Sequence, residues 1–311
     1  MDRLFQALHL DAPDAEKKRK EKYYARPQVH YGMQQPLYPQ QQRENYDIRF
    51  IIFRHAERID HSLGRDWYKI VFKGSPSPTG EAYHHPSLPH RLPRRSNALM
   101  YEFDPPISRH GEEESINRGR TLAMQHFRVD YCYSSPASRS VLSASNLLRG
   151  MNATNVPVRI EKFLFEPISW NVPLRLLGDQ DPFMEPMEWK KAGHHVDHRY
   201  QSMLRKLSSF GTEHDYFDRS NCFFEKMIKH YTPERRGSNP ELNAAPSRPI
   251  TIMIVGHGPT SEIFTTIAQK KQLDVEDLKR NANNKPYLNC LVMERNPETK
   301  CWRFSNPFGS S

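Results

Sequence analysis

Apolar runs of strand length end abruptly in charged or hydroxyl side chains at three places, and this repeated design constrains the fold more than any other feature of the chain. Ile48-Arg49-Phe50-Ile51-Ile52-Phe53 leads into Arg54-His55-Ala56-Glu57-Arg58. Val129-Asp130-Tyr131-Cys132-Tyr133 leads into Ser134-Ser135-Pro136-Ala137-Ser138-Arg139, and Ile250-Thr251-Ile252-Met253-Ile254-Val255 leads into Gly256-His257-Gly258. Runs that are apolar on both faces suit strands covered on both sides. After two of them the apolar spacing becomes helical: Val141, Ala144 and Leu148 keep one face, and Ile263, Ile267 and Ala268 another. Strands alternating with helices predict an α/β fold, a three-layer sandwich with a mostly parallel central sheet flanked by helices. Sites in such sheets lie at the carboxyl ends of the strands, so the three polar tips are expected to converge.

Charge narrows what those tips bind. The 311 residues carry 45 Lys and Arg against 36 Asp and Glu, a net charge of +9 that suits an anionic partner. Nucleic acid is one such partner and a phosphorylated small substrate is equally open, but no zinc-finger spacing, aromatic RNP-like motif or basic heptad helix accompanies the charge, and no nucleic-acid partner is expected. The four cysteines, Cys132, Cys222, Cys290 and Cys301, form no C-x-x-C pair and suit reduced thiols in cytosol. No stretch approaches the roughly 20 apolar residues of a membrane span, and the start lacks the plan of a secretory signal. A cytoplasmic protein is expected, with the basic run 17–22 allowing a nuclear address.

Residues 1–45 read as a disordered basic and Gln-Pro-rich tail, and 46–311 as the folded domain. Two insertions interrupt it, near 73–106, where seven prolines fall between Gly74 and Pro106, and near 167–200, which carries Trp170 and Trp189. Both read as long loops over the sheet edge. A polar connection at 233–249 follows an amphipathic helix ending near Tyr231.

At the second tip, Ser135 as N-cap and Pro136 at the first helical position predict a helix start with Arg139 in its first turn. Free N–H groups there, beside a guanidinium fork, make phosphate the natural occupant. At the first tip, Arg54 and Arg58 crowd His55, an arrangement that like charge disfavours unless an anion binds among them. The same cations are expected to keep the His55 ring neutral and hence nucleophilic.

Arg54-His55-Ala56-Glu57-Arg58 resembles the R-H-G-E-R motif of the histidine phosphatase superfamily. Ser134-Ser135-Pro136-x-x-Arg139, Leu164-Phe165-Glu166 and Gly256-His257-Gly258 resemble its later motifs in the expected order. Within that superfamily the chain resembles the suppressor of T-cell receptor signalling phosphatases and the insect ecdysteroid-phosphate phosphatases. Leu88-Pro89-His90-Arg91-Leu92-Pro93-Arg94-Arg95-Ser96, Asp104-Pro105-Pro106-Ile107-Ser108 and Arg159-Ile160-Glu161 look like theirs. The resemblance covers about residues 47–295 and implies a phosphoglycerate mutase-like fold. It also implies a metal-independent phosphomonoester hydrolase working through a phosphohistidine, without cofactor. His55 would attack phosphorus, Arg54, Arg58, Arg139 and His257 would bind the phosphoryl oxygens, and Glu166 would donate the proton. Phosphotyrosine protein, or a bulky aryl or steroid phosphate, is the substrate class implied, and a homodimer is left open.

Departures from the family pattern are Ala56 for the usual Gly, which adds a methyl group near the nucleophile, and Glu114 where Gln is usual. The 45-residue tail offers no counterpart of ubiquitin-associated or SH3 modules. A phosphoglycerate-type mutase would carry an Asn shortly after the first motif, and Ile59-Asp60-His61-Ser62-Leu63 has none. A secreted acid phosphatase would have Pro where Asp60 stands. A zinc site from His194, His195 and His198 needs His194 and His198 on one helical face. The alternative of a different class is a catalytically weak phosphate-recognition module binding phosphorylated protein, which would keep the arginines but needs neither His55 nor Glu166.

Overall fold

The computed structural model describes residues 46–72, 85–95, 99–171, 181–207, 211–232 and 249–309. The tail 1–45, residues 73–84 and 96–98 of the first insertion, 172–180 of the second, and 233–248 of the polar connection lie outside the described residues. The elements below all fall within the unit Glu44–Ser311.

The strands are β1 (Ile48–Arg54), β2 (Tyr131–Ser134), β3 (Val158–Ile160), β4 (Ile250–Gly256), β5 (Cys290–Arg295) and β6 (Trp302–Ser305). They form one sheet in the order β3-β2-β4-β1-β5-β6. β3, β2, β4 and β1 run parallel, and β5 and β6 are antiparallel additions at one side. The helices are α1 (Ile59–Leu63), α2 (Trp67–Phe72), α3 (Met100–Phe103), α4 (Arg109–Met124), α5 (Ser138–Gly150), α6 (Pro186–Lys191), α7 (Glu213–Tyr231), α8 (Thr260–Ala268) and α9 (Val275–Asn284). None among the described residues is long and apolar enough to cross a membrane.

Alternation along the strands feeds two cores. Ile51, Phe53, Met253 and Val255 face α5 through Val141, Leu147 and Leu148. Phe50, Ile52, Ile252 and Ile254 face α7 and α8 through Phe223, Phe224 and Phe264. Burying both faces of the central strands is what a period-2 run without polar interruption requires. All of β4 is buried, as the middle position demands. The three-layer α/β expectation is met.

Register then delivers the site. Arg54 pairs with Gly256 and Ser134 with Val255, so the tips of β1, β2 and β4 end side by side. The chain leaves together as well: His55 N–H donates to Gly256 O at 2.9 Å and Ser135 N–H to Val255 O at 3.0 Å.

Three local expectations are corrected. The helix after β2 starts at Ser138, with Ala137 rather than Ser135 at the N-cap and no side-chain cap of its own. Asp104 supplies the cap from outside: its Oδ1 accepts from Ser138 N–H at 2.8 Å and its Oδ2 from Ser138 Oγ at 2.5 Å. The 167–200 insertion is not loop throughout, since it contains α6 and a 3-10 turn at Ile168–Trp170. Finally, α6 ends at Lys191, so His194 and His198 share no helical face and the geometric premise for zinc fails.

α4 and α5 touch at Gly119 and Gly150, where an added Cβ would run into the backbone carbonyls of Leu147 and Ile116 respectively. Helix propensity alone favours Ala over Gly by about 1 kcal/mol. Backbone cannot yield as a side-chain tip can, and overpacking of this kind costs about 1–3 kcal/mol. Gly150→Ala is therefore expected to lower the urea midpoint; a raised midpoint would show that the two helices are not in backbone contact.

Candidate active site

His55 follows the last residue of β1 and is 3% exposed. Its Nδ1 lies 2.8 Å from the Ala56 carbonyl oxygen, which can only accept, so Nδ1 carries the proton. Burial first, then the charges of Arg139, His257 and Arg54, holds the ring well below the ordinary histidine value. A neutral ring protonated at Nδ1 leaves a lone pair on Nε2. Neutrality was expected from Arg54 and Arg58, but burial leads and Arg139 precedes Arg54. Arg58 instead faces Asp60, with Nε–H to Oδ1 at 2.9 Å and Nη2–H to Oδ2 at 2.5 Å. That bidentate pair fixes the direction of its fork.

Two other guanidiniums have donors to spare. Arg139, 1% exposed, donates from Nη2 to Glu166 Oε1 at 2.7 Å, while its Nε finds no partner among the described residues. Arg54 donates from Nη1 to Lys285 O, its Cζ lies 4.6 Å from the centre of the Tyr287 ring, and its Nε is likewise unpartnered. A buried N–H without an acceptor costs about 1–3 kcal/mol. Arg54 and Arg139 each carry one such donor.

His257 is as buried as Arg139. Its Nε2 lies 2.7 Å from Ser135 Oγ, and its Nδ1 lies 3.3 Å from Arg139 Nη2 and 3.4 Å from Glu166 Oε1. Arg139 only donates, so Nδ1 accepts and Nε2–H donates to Ser135. Burial, then Arg139 and Arg54, holds this ring well below the ordinary value too. The rings of His55 and His257 are 5.5 Å apart between centroids. The glycines around His257 have steric causes: a Cβ at Gly256 would strike the Thr260 side chain, and one at Gly258 would come within 2.6 Å of Ala282 O.

The structure thus brings together Arg54, His55, Arg139, Glu166 and His257, with Arg58 at the adjoining cleft. Asp104 caps the start of α5 in place of the Ser135 cap expected from the sequence. Glu166 follows the Phe163-Leu164-Phe165 run, is partly buried with 17% of its side chain exposed, and is bonded to Arg139. Sequence reasoning missed Tyr287, whose ring lies 5.7 Å from His55 and whose hydroxyl lies 2.6 Å from His61 Nδ1. It assigned no role to Asp104, although the Asp104–Ser108 segment was singled out, or to Thr260, since the group each one serves is not readable from its own segment.

From Glu166 and Arg58 a cleft of about 1100 Å³ opens, walled by Trp67, Phe103, Pro105 and Trp170 among others. Trp170 comes from the second insertion, and Phe103 and Pro105 come from the first. Trp170 Nε1–H donates to Glu213 Oε1 at 2.7 Å, which fixes the indole plane.

No family model matches the chain. It is 28% identical to the mouse ubiquitin-associated and SH3 domain-containing protein B over 264 residues, 82% of this chain and 38% of that protein. It is 26% identical to the ecdysteroid-phosphate phosphatase of Bombyx mori over 251 residues, 78% of this chain and 34% of that protein. The chain therefore spans little more than a third of the length of these curated relatives. The crystal structure of the Bombyx mori ecdysone phosphate phosphatase in complex with tungstate superposes with a TM-score of 0.68 and 25% identity, covering 85% of this chain and 94% of that one. The sheet order, the motifs carried on its strand tips and these likenesses agree: the chain is similar to histidine phosphatases and has the phosphoglycerate mutase-like fold.

Proposed function

We propose that the chain hydrolyses phosphate monoesters through a phosphohistidine formed on His55. The observation that carries this reading is the hydrogen bond from Nδ1 to the Ala56 carbonyl, which leaves Nε2 as an unprotonated nucleophile in a ring that burial keeps neutral. The unpartnered Nε groups of Arg54 and Arg139 supply donors for phosphoryl oxygens, Arg58 adds Nη1, which its pair with Asp60 does not use, and His257 joins them by turning its Nε2–H from Ser135 to the phosphoryl group. Fixed cations stabilise the charge that spreads over the equatorial oxygens during in-line transfer. Glu166, 2.7 Å from Arg139 Nη2, carries the proton to the leaving oxygen and afterwards takes one from the attacking water.

A recognition module that binds without turnover needs only the arginines. The tautomer held by Ala56 and the placement of Glu166 beside Arg139 serve bond making and proton transfer, and they favour the enzyme. The tungstate held by the Bombyx mori relative is a tetrahedral oxyanion, which supports a site for a phosphoryl group. The cleft, larger than the roughly 300–1,000 Å³ of a drug-sized ligand site, and its indole walls favour a bulky leaving group. Phosphotyrosine protein and aryl or steroid phosphates meet that description. A folded domain at 46–311 and a cytoplasmic setting belong to the same reading.

His55→Ala is expected to abolish turnover, and brief reaction with labelled substrate is expected to leave an acid-labile, base-stable phosphoryl group on His55. Label on a hydroxyl or thiol, or an active alanine variant, would overturn the mechanism. Glu166→Gln should lower kcat/KM for an alkyl phosphate by about 100-fold or more and for nitrophenyl phosphate far less, because nitrophenolate departs unprotonated. The ratio kcat/KM covers only the steps through phosphoryl transfer, so loss of the later water activation does not blur the comparison. Equal losses would place proton donation elsewhere.

Neutral buried histidines also leave a mark on stability. With the folded-state value depressed, the unfolded chain binds more protons once the pH falls below about 6.5, so stability declines on that side by up to about 1.4 kcal/mol per pH unit for each ring. His55→Gln should make the fall in melting temperature between pH 7 and pH 5 shallower than in the native protein. Parallel curves would mean that His55 is not held neutral.

A further inference from the structure

One face of α7 reaches three separate parts of the leaving-group side of the site. Glu213, Tyr216 and Arg219 stand three residues apart and so share that face. Glu213 holds the Trp170 indole. The Tyr216 hydroxyl lies 2.9 Å from Thr260 Oγ1, which accepts from His257 N–H at 2.8 Å. Arg219 meets the segment that carries Glu166: Nη1 donates to Phe163 O at 2.5 Å and to Lys162 O at 3.4 Å, and Nη2 donates to Glu166 O at 3.3 Å.

We infer that Arg219 is the positioning residue for Glu166. Glu166 lies between the 3-10 turns Lys162–Leu164 and Ile168–Trp170, short pieces whose internal hydrogen bonds leave carbonyl oxygens unused. Arg219 donates to three of the carbonyls in this segment, and its planar fork fixes their spacing as a Lys ammonium would not. No carboxylate among the described residues forms an ion pair with it, although its guanidinium is buried enough for its value to fall to about 10. A half-buried cation held by backbone carbonyls and by the Tyr216 ring, 4.6 Å from its Cζ, rather than by a carboxylate is costly for stability, and precise placement of the acid is what it gives in return. A shift of about 1 Å in a catalytic group is enough to lower a rate by about 100-fold.

The inference rests on Glu166 being the proton donor, so Glu166→Gln is the reference arm of its test. We would measure kcat/KM for nitrophenyl phosphate and for 2-phenylethyl phosphate in the native protein, Glu166→Gln, Arg219→Met, Arg219→Lys and the Glu166→Gln/Arg219→Met double variant. Arg219→Met should lose about 100-fold on the alkyl ester and no more than about 3-fold on the nitrophenyl ester. Arg219→Lys should recover part of the alkyl activity, and the double variant should be no slower on the alkyl ester than Glu166→Gln alone. Equal losses on both esters, or losses that multiply in the double variant, would overturn the inference and reduce Arg219 to a structural group. If Glu166→Gln itself fails to separate the two esters, the proton-donor reading fails instead. Should Arg219→Met not fold, Arg219→Lys carries the comparison, because it keeps charge and burial but loses the fork; an alkyl activity equal to native would then overturn the inference.

Discussion

Positive charge held out of water at one edge of the sheet is the condition to which the rest of this molecule answers. Arg139 is almost wholly buried, Arg54 and Arg58 are partly so, and two buried imidazoles stand among them. Such a cluster is tolerated only if each charge finds an anion, a dipole or a neutral neighbour. The neighbours divide the task. Asp60 takes Arg58, Glu166 takes Arg139, the Lys285 carbonyl and the Tyr287 ring take Arg54, and both imidazoles remain uncharged. What is left over, the two unpartnered Nε groups, is the capacity a phosphoryl group would use.

Asp104 shows how the same condition reaches into the fold. The N-terminus of α5 already carries partial positive charge, and Arg139 in its first turn adds a full one. Ala137 offers no cap, so Asp104, brought in by the Asp104-Pro105-Pro106 turn, accepts from Ser138 twice and has Arg95 3.4 Å away. Burial pushes this carboxyl upward, and Arg95, Ser138 and Arg139 oppose that rise. The Ser138 end of the helix is thereby capped by a carboxylate from a separate segment.

The parts of this architecture that were legible in the sequence are those whose signal is local. Period-2 burial in β1 and β4 follows from unbroken apolar runs, and α5 and α8 follow from the 3.6-residue spacing of Val141, Ala144 and Leu148 and of Ile263 and Ile267. The convergence of Arg54, Ser134 and Gly256 follows from parallel pairing of runs that all end in polar residues. The features that escaped act over long separations. Asp104 caps a helix 34 residues away, Arg219 supports a carbonyl 53 residues away, and Tyr287 leans on Arg54 from the far side of the chain. Nothing in the local pattern around an Asp, an Arg or a Tyr says which distant backbone it will serve. The helix start at Ser135 was misplaced for the same reason, since a local cap was assumed where a distant one exists.

Ala56 resolves differently from what its departure from the family motif suggests. A residue in place of glycine strains the backbone only if the position needs a positive φ, and Ala56 is not among the residues that have one. Its amide donates to Ser143 Oγ at 2.8 Å, its carbonyl receives the His55 proton, and its methyl is fully buried. The space for that methyl lies beside Gly111 in the first turn of α4, where an added Cβ would stand 3.2 Å from it and 2.7 Å from Glu57 O. Gly111 is thus required by the Glu57 backbone whether or not position 56 carries a side chain, and the methyl occupies space that this requirement already left. The substitution therefore asks nothing of the His55 backbone, and the carbonyl that sets the tautomer is oriented by the Ser143 bond on one side of residue 56 and the Ser108 N–H to Glu57 O bond on the other.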